Sequence, residues 1–482
     1  MKINAIKIYL FANLIILLFL KFFISMKKIV YLILFIGISL NMNAANPDSL
    51  VVNKIYMEAL ADNTAYTNLE YLCTQIGGRL CGSVESEKAI AWAKKCLEEM
   101  ALDTVYLQKL MVSHWTRGEK EVAYIKFNSA EIKNVHVCAL GESVATPKNG
   151  ITAEVVEVKS FDELIKLGKE NISGKIVFYN RAMDPSKFIT FEAYGGAAGQ
   201  RFVGAVKAAE FGAVGVVVRS LTLLSDFTTH TGIMKYDSAG INIPAVAIST
   251  KDADLLSESL QTDNHLLFYM KTSCQFFLEK ESYNVIGEVK GTESPNEIMV
   301  VGGHLDSWDN GQGAHDDGVG VVQSIEVLRI FKKLGVKPKH TIRVVLFMDE
   351  ECHQRGGKKY AEIVKLKNEK HIVAIESDGG GFTPNGFSFD TSQDTLNAIK
   401  KWSSLLLNYG LYSLTKGHSG VDIGFLKGLG FPLIGLETDS QRYFDFQHAE
   451  TDTFDKVNNR QMQLGSAAMA SLIYLIDKNG IQ

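Results

Sequence analysis

Residues 302–320 read GGHLDSWDNGQGAHDDGVG, with two histidines, four aspartates and six glycines placed directly after the apolar run Ile298-Met299-Val300-Val301. Three other apolar runs deliver ionisable residues in the same way. Residues 342–348 run into Asp349-Glu350-Glu351, and 371–375 into Glu376-Ser377-Asp378. Residues 432–436 are followed, after a short loop, by Phe444-Asp445-Phe446-Gln447-His448. Like charges gathered at low dielectric oppose one another's ionisation, so something must offset the repulsion. Two divalent cations would, and a mixture of imidazole nitrogen and carboxylate oxygen suits zinc. A metal pair needs a bridging carboxylate and terminal ligands on each side. Asp316 is placed to bridge, in a glycine-rich loop that can fold over the strand ends and near a helix N-terminus that favours an anion. Asp306, two residues from His304, fits a partner that fixes the imidazole tautomer. Adjacent side chains cannot easily bind one metal, so of Glu350 and Glu351 one should ligate while the other stands free as general base.

Each of these residues alone is ordinary. A histidine at a strand end is more often a hydrogen-bonded structural residue, and Glu350-Glu351 is a common helix start. Asp316-Asp317 could simply cap a helix. What argues for chemistry is that all the required groups occur together, each just after a separate apolar strand.

The elements that must position them follow from the pattern. After residue 280, strand-like runs ending at Val301, Met348, Ile375 and Leu436 alternate with helical patterns such as 318–334. That alternation predicts an α/β fold, a mostly parallel mixed sheet flanked by helices, with ligands bound beyond the carboxyl ends of the strands. Residues 46–145 open with helical spacing, clearest over 85–100 after the turn-like Gly77-Gly78-Arg79 and Cys81-Gly82-Ser83. From 146 to 277 the texture changes to short β-rich runs, at Gly174–Tyr179, Gly215–Val218 and Ile243–Ile248, around a small-residue helix at 203–211. The reading is therefore a domain in two parts, 46–145 and 278–482, with a β-rich insert at 146–277 that is poor in chemistry-bearing groups. The loop 416–422 (KGHSGVD) is a candidate lining of the substrate site through Ser419 or backbone amides.

Here the residues carry a resemblance. The run His304-Leu305-Asp306-Ser307-Trp308-Asp309, then Gly311-Gln312-Gly313-Ala314 and Asp316-Asp317-Gly318, resembles family M28 co-catalytic zinc exopeptidases. Glu350-Glu351, Glu376-Ser377-Asp378-Gly379 and Tyr443-Phe444 with His448 continue the signature in the family's order. The resemblance covers nearly all of the chain beyond its first 45 residues and likens the insert to a protease-associated domain. It implies two Zn2+ per chain: His304 and Asp378 on one, Glu351 and His448 on the other, and Asp316 bridging. It implies Glu350 as the base and Asp306 as the orienter of His304. The implied activity is hydrolysis of dipeptides or short peptides with free termini by metal-activated water. The alternatives are an aminopeptidase acting on longer peptides or an inactive, receptor-like binding protein. A homodimer is also implied. One departure stands out: the branch it most resembles tends to carry two adjacent histidines where this chain has Gln447-His448. His448 keeps the spacing to Asp452 and Thr453 and is retained as the ligand. His315 is unusual within the loop and has no assigned role.

The 482 residues are 46% hydrophobic and 22% charged, with 50 basic against 54 acidic groups. That balance leaves no electrostatic footprint for nucleic acid. The N-terminus has the form of a secretory signal from Met26 onward: Met26-Lys27-Lys28, an apolar run at 29–40, then Ala44 and Ala45. Residues 1–25 then read as upstream sequence, and the expected location is secreted or periplasmic. A membrane anchor built from both apolar runs is the alternative, and the absence of a cysteine there argues against a lipoprotein. The six cysteines form no CxxC pattern and read as buried thiols, with one bridge allowed by export; Cys73 and Cys81 are close in sequence.

Overall fold

A computed structural model describes residues 9, 11–28, 47–237 and 240–481 of the chain. The apolar run at 29–40 and the small residues Ala44 and Ala45 of the expected signal lie outside the described residues. The chain divides into two units, Met1–Asn53 and Lys54–Gln482. In the first, residues 11–28 are helical with exposed apolar side chains. Among the described residues, no helix is long and apolar enough to cross a membrane.

The second unit contains two eight-stranded sheets. In the first the spatial order is Thr104–Val112, Lys280–Val289, His340–Phe347, Ser294–His304, Lys370–Glu376, Leu433–Thr438, Pro384–Asp390, Ser413–Lys416. The four strands in the middle are parallel to one another, and antiparallel partners flank them. Met299–Val301, Ile342, Val344–Phe347 and Val373–Ile375 have no measurable exposure. Continuous β-branched runs are what a parallel strand covered on both faces requires, and each such side chain contributes about 1.5–3 kcal/mol on burial. One covering helix, Val319–Lys333, is buried over most of its length against the C-terminal helix Asn459–Asn479. Its Gln323 donates to the Met462 carbonyl at 2.9 Å and accepts from Ser377 Oγ at 2.7 Å. That pair fastens the strand end between Glu376 and Asp378.

Register aligns the chemistry. His304 is level with Phe347 across one parallel pairing, which places Asp349-Glu350-Glu351 just beyond. Gly302 is level with Glu376 across the other, so His304 and Asp378, each two residues on, are level too. Gly320 allows the glycine-rich loop to close over these ends, because a Cβ there would strike the Ser377 carbonyl and the Asp317 carboxylate.

The second sheet runs Ile132–Val135, Val122–Lys126, Leu267–Lys271, Ile151–Val158, Ile176–Tyr179, Gly215–Arg219, Ala245–Ile248, Val137–Ala139. Its three strands from 122–139, two of them at its edges, come from chain that the sequence texture groups with 46–145. It is also less β-rich than its sequence suggests. The helices Phe161–Ile172, Thr190–Ala197, Gly199–Glu210 and Thr250–Thr262 alternate with its strands. Polar faces on Phe161–Ile172 and Thr250–Thr262 mask the apolar stripe in a linear reading, while Ser160 and Ser249 cap them by accepting from Glu163 N and Asp252 N.

Candidate metal centre

Two imidazoles anchor the site, and both are fixed in the same way. His304 Nδ1 donates to the backbone carbonyl of Asp306 at 3.0 Å, which turns Nε2 toward Asp316 Oδ1 at 3.1 Å and Asp378 Oδ1 at 3.4 Å. His448 Nδ1 lies 3.3 Å from the Thr231 carbonyl, and its Nε2 faces Glu351 Oε2 at 3.1 Å and Asp316 Oδ2 at 3.4 Å. A carbonyl on Nδ1 selects the tautomer whose Nε2 lone pair is free to ligate. His448 sits at φ 59°, a strained conformation for a non-glycine residue. It is held there by Thr231 N donating to its carbonyl at 2.9 Å and Asn310 Nδ2 at 3.0 Å.

Two groups of ligating atoms result, His304/Asp316/Asp378 and Asp316/Glu351/His448, each with its atoms within 4.8 Å of one another. Asp316 belongs to both. Asp316 Oδ2 and Glu351 Oε1 are buried without a hydrogen-bond partner. Orphaned carboxylate oxygens facing imidazole nitrogens are costly unless a cation completes them, so the donor set fits a metal pair. Glu350 lies at the edge of both groups, its Oε2 4.0 Å from His304 Nε2. Glu350 and Asp378 are the more open of these side chains, 14% and 22% exposed against 1% for His304, so substrate would enter on their side.

The electrostatics of the cluster's own side chains follow from burial. Desolvation, with Asp378, Glu351 and Asp316 nearby, pushes Glu350 well above the carboxylate range. Glu351 is raised in the same way, by burial and then by Asp316. Burial alone would lower His304, but Asp316 and Asp378 hold it well above its ordinary value. His448 is pushed down to about 4 by burial, leaving it neutral at pH 7.

Asp306 has a different task from the one its spacing suggests. Its carboxylate stands 3.8 Å from His304 Nδ1 and instead accepts from Glu350 N at 3.2 Å and Glu351 N at 3.4 Å. Its backbone carbonyl orients the imidazole, and its side chain pins the acidic pair. Asp317, not singled out by sequence, accepts from His304 N at 3.0 Å and Gly320 N at 2.9 Å. Asp452 accepts from His315 N at 2.7 Å and Asp316 N at 3.1 Å, holding the bridge candidate from behind. Arg79 reads in sequence only as part of a turn. It is wholly buried, and its guanidinium donates to the carbonyls of Leu305, Gln312 and Gly313 at 2.6, 2.8 and 3.0 Å. A lone arginine in a glycine-rich turn was the available signal.

His315 has a packing role. Its ring stacks on Phe382 and Phe446 at centroid distances of 4.5 and 5.1 Å, and its Nδ1 accepts from Gly381 N. Burial lowers it to about 4, so it stays neutral in that slot. The loop 416–422 contributes amides rather than a side chain: Val421, Asp422 and Ile423 N donate to Glu376 at 3.0, 3.3 and 2.8 Å. All six cysteines are free, and Cys73 packs with Ala65, Leu69 and Val319 rather than meeting Cys81. A cleft of about 570 Å³ lies elsewhere, lined by Lys109, Met111, Arg355, Lys359 and neighbours. Its cations already pair with Glu281, Glu279 and Glu362, and it holds none of the clustered groups.

Comparison with known proteins agrees with this geometry. Residues 284–473 match the profile of Peptidase family M28. The chain is 34% identical over 416 residues to carboxypeptidase Q of Bos taurus and 36% identical over 416 residues to that of Xenopus laevis, covering 86% of each chain in both pairs. A crystal structure of a peptidase M28 precursor from Shewanella amazonensis superposes with a TM-score of 0.86 at 33% identity, covering 90% of this chain and 98% of that one. The chain thus belongs to peptidase family M28 and is a metallopeptidase.

Proposed function

We propose that the chain is a co-catalytic di-zinc exopeptidase, secreted or periplasmic, that hydrolyses dipeptides or short peptides bearing free termini. The observation that carries this reading is the sharing of one buried carboxylate, Asp316, between two groups that each hold one histidine and one further acid. His304 and Asp378 would hold one ion, Glu351 and His448 the other, with Asp316 between them. When bound, zinc supplies Lewis acidity and makes water a nucleophile at neutral pH.

The chain's own residues supply the rest. Glu350, with its Oε2 4.0 Å from His304 Nε2 and its side chain more open than His304, stands beside the ligand groups as the general base. It takes the proton of the attacking water and later delivers it to the leaving amine. Asp306 keeps the Glu350 and Glu351 backbone in place through its two amide contacts. The carbonyls of Asp306 and Thr231 keep both imidazoles in the ligating tautomer. The second sheet and the helices around it are the inserted module of this reading, resembling a protease-associated domain. Similarity to carboxypeptidase Q over most of both chains supports action at a free peptide terminus.

The deciding experiment is a dipeptide-library screen with and without a chelator, including peptides blocked at either terminus and longer peptides. Chelator-sensitive release from unblocked dipeptides is expected. Equal rates on C-terminally blocked or long peptides would favour an aminopeptidase. Less than about one zinc per chain after zinc loading would overturn the enzyme reading in favour of a binding protein.

A further inference from the structure

Beside the metal centre, but outside it, three more buried ligating groups meet. The Sγ atoms of Cys81 and Cys352 and a carboxylate oxygen of Asp349 lie within 4.8 Å of one another. The Cys81 thiol donates to Asp349 Oδ1 at 3.2 Å. The two cysteines are 271 residues apart in the chain. Cys81 lies in the turn before helix Val84–Glu99, two residues after Arg79, while Cys352 directly follows Glu351. The loop that carries Cys352 is a demanding one, because Asp349 and Gln354 both have left-handed backbone, at φ 70° and 58°.

We propose that Cys81 and Cys352 are a thiol–disulfide modification site, forming an intrachain disulfide by exchange with an organic disulfide, RSSR. In the first exchange one cysteine sulfur bonds to a sulfur of RSSR and releases RSH. In the second the other cysteine sulfur attacks that mixed disulfide, closes the Cys81–Cys352 bond and releases the second RSH. The two cysteines are oxidised, RSSR is reduced, and the two thiol protons leave on the two RSH molecules. The bond ties the segment that carries Arg79 to the loop that carries Glu350 and Glu351. It thereby braces both sides of the metal centre from a place that touches no substrate.

A cation is the competing occupant of the same three groups, and the surroundings favour the disulfide. Asp349 Oδ2 lies 3.5 Å from Arg355 Nε, so a cation would have to share this carboxylate with a guanidinium. Among the described residues, the group of ligating atoms within 4.8 Å of one another holds Cys81, Asp349 and Cys352 and no fourth donor. A tetrahedral site needs that fourth ligand, whereas the thiol pair needs only each other.

The test uses the full chain with zinc present and glutathione disulfide as the oxidant, applied once to the native protein and once during refolding from denaturant. Samples are quenched in acid, alkylated in denaturant and mapped by mass spectrometry without reduction. A linked peptide pair containing Cys81 and Cys352, two hydrogens lighter than the separate peptides and split by reductant, is expected. The oxidised form should melt about 5 °C higher than the reduced form, since closing so long a loop restricts the unfolded chain. Cys81→Ser and Cys352→Ser should each abolish that redox-dependent shift. Free alkylation of both residues in both arms would overturn the proposal, as would linkage of Cys81 to Cys73 or glutathione adducts alone. So would a lower zinc content in Cys352→Ser than in the parent chain, which would assign the three groups to a metal.

Discussion

The two sheets of this chain share a plan, with parallel apolar strands at the centre and helices alternating with them, yet only one carries a reactive centre. Both place charge at or just beyond their strands. In the second sheet the buried or half-buried charges at Glu157 and Arg219 each meet a donor or a counter-ion. Glu157 accepts from Asn180 Nδ2 at 2.8 Å and from Ser257 Oγ at 2.8 Å, and Arg219 pairs with Asp254 at 2.6 Å. In the first sheet Asp316, Glu350, Glu351 and Asp378 converge on the imidazoles of His304 and His448, and among the described residues one oxygen each of Asp316, Glu351, Asp349 and Asp422 has no hydrogen-bond partner. Charge at a strand end is therefore no signal by itself. Charge that the protein leaves uncompensated is, because burying it costs several kcal/mol unless a ligand completes it.

The comparison breaks most visibly if the shared carboxylate is removed. Asp316→Ala should lose both bound zinc ions and bring peptide hydrolysis down to background, read by metal analysis and a dipeptide assay on the same preparation. Retention of two ions would show that the two groups do not depend on a common bridge. Next in size, Glu350→Gln should keep both ions and lose about 10³-fold in kcat, the order a positioned general base supplies. Near-normal turnover in that variant would remove Glu350 from proton transfer.

A smaller change sharpens the contrast from behind the site. Asp452→Asn replaces one of two oxygens that accept from the His315 and Asp316 amides with an NH2 group that can only donate. Zinc affinity should drop about 10–100-fold, the usual loss when a ligand's support is removed, with the fold preserved by circular dichroism.

Uncompensated charge also gives the first sheet a pH signature. Burial raises Asp349, Glu376 and Asp452 to about 7, and raises Glu350 and Glu351 well above their ordinary value. In the unfolded chain these carboxyls have ionised by about pH 5. Near neutrality the folded metal-free state thus binds more protons than the unfolded one, and stability falls as pH rises. The buried histidines His230, His315, His371 and His448, lowered to about 4, still take up protons near 6.5 when unfolded and oppose this slope until about pH 7.5. The Tm of the metal-free chain should therefore fall between about pH 7.5 and 8.5. Zinc should flatten that slope, because a cation replaces the protons. A flat metal-free profile would mean the carboxylates are compensated after all.

Much of this site was legible because its residues sit at the ends of strands whose apolar runs are themselves legible. His304, Asp316, Glu350, Glu351, Asp378 and His448 each follow such a run, and the parallel register does the rest. What could not be read was support that crosses long stretches of chain. The Thr231 carbonyl that orients His448 belongs to a segment more than 200 residues earlier, and a backbone carbonyl has no sequence signature. Arg79 reaches Leu305, Gln312 and Gly313 from a turn whose glycines drew attention away from it. Asp306 was given its partner by proximity, and the geometry reassigned its side chain to the Glu350 and Glu351 amides. In the second sheet the helix at 203–211 was legible, while Phe161–Ile172, Thr190–Ala197 and Thr250–Thr262 lay among short strands and went unread.

The smallest expected effect lies in the sheet without a centre, and it tests the contrast from its quiet side. The Arg219–Asp254 pair is short, but the Asp254 side chain is 51% exposed, and exposed pairs contribute little after solvent screening and side-chain ordering. Arg219 also donates to Asn180 Oδ1 at 3.2 Å, so removing Asp254 leaves it partnered. Asp254→Ala should change stability by no more than about 0.5 kcal/mol and leave zinc content and turnover unaltered. A large loss of activity in that variant would mean that this strand end communicates with the metal centre, and the division between a compensated sheet and an uncompensated one would have to be redrawn.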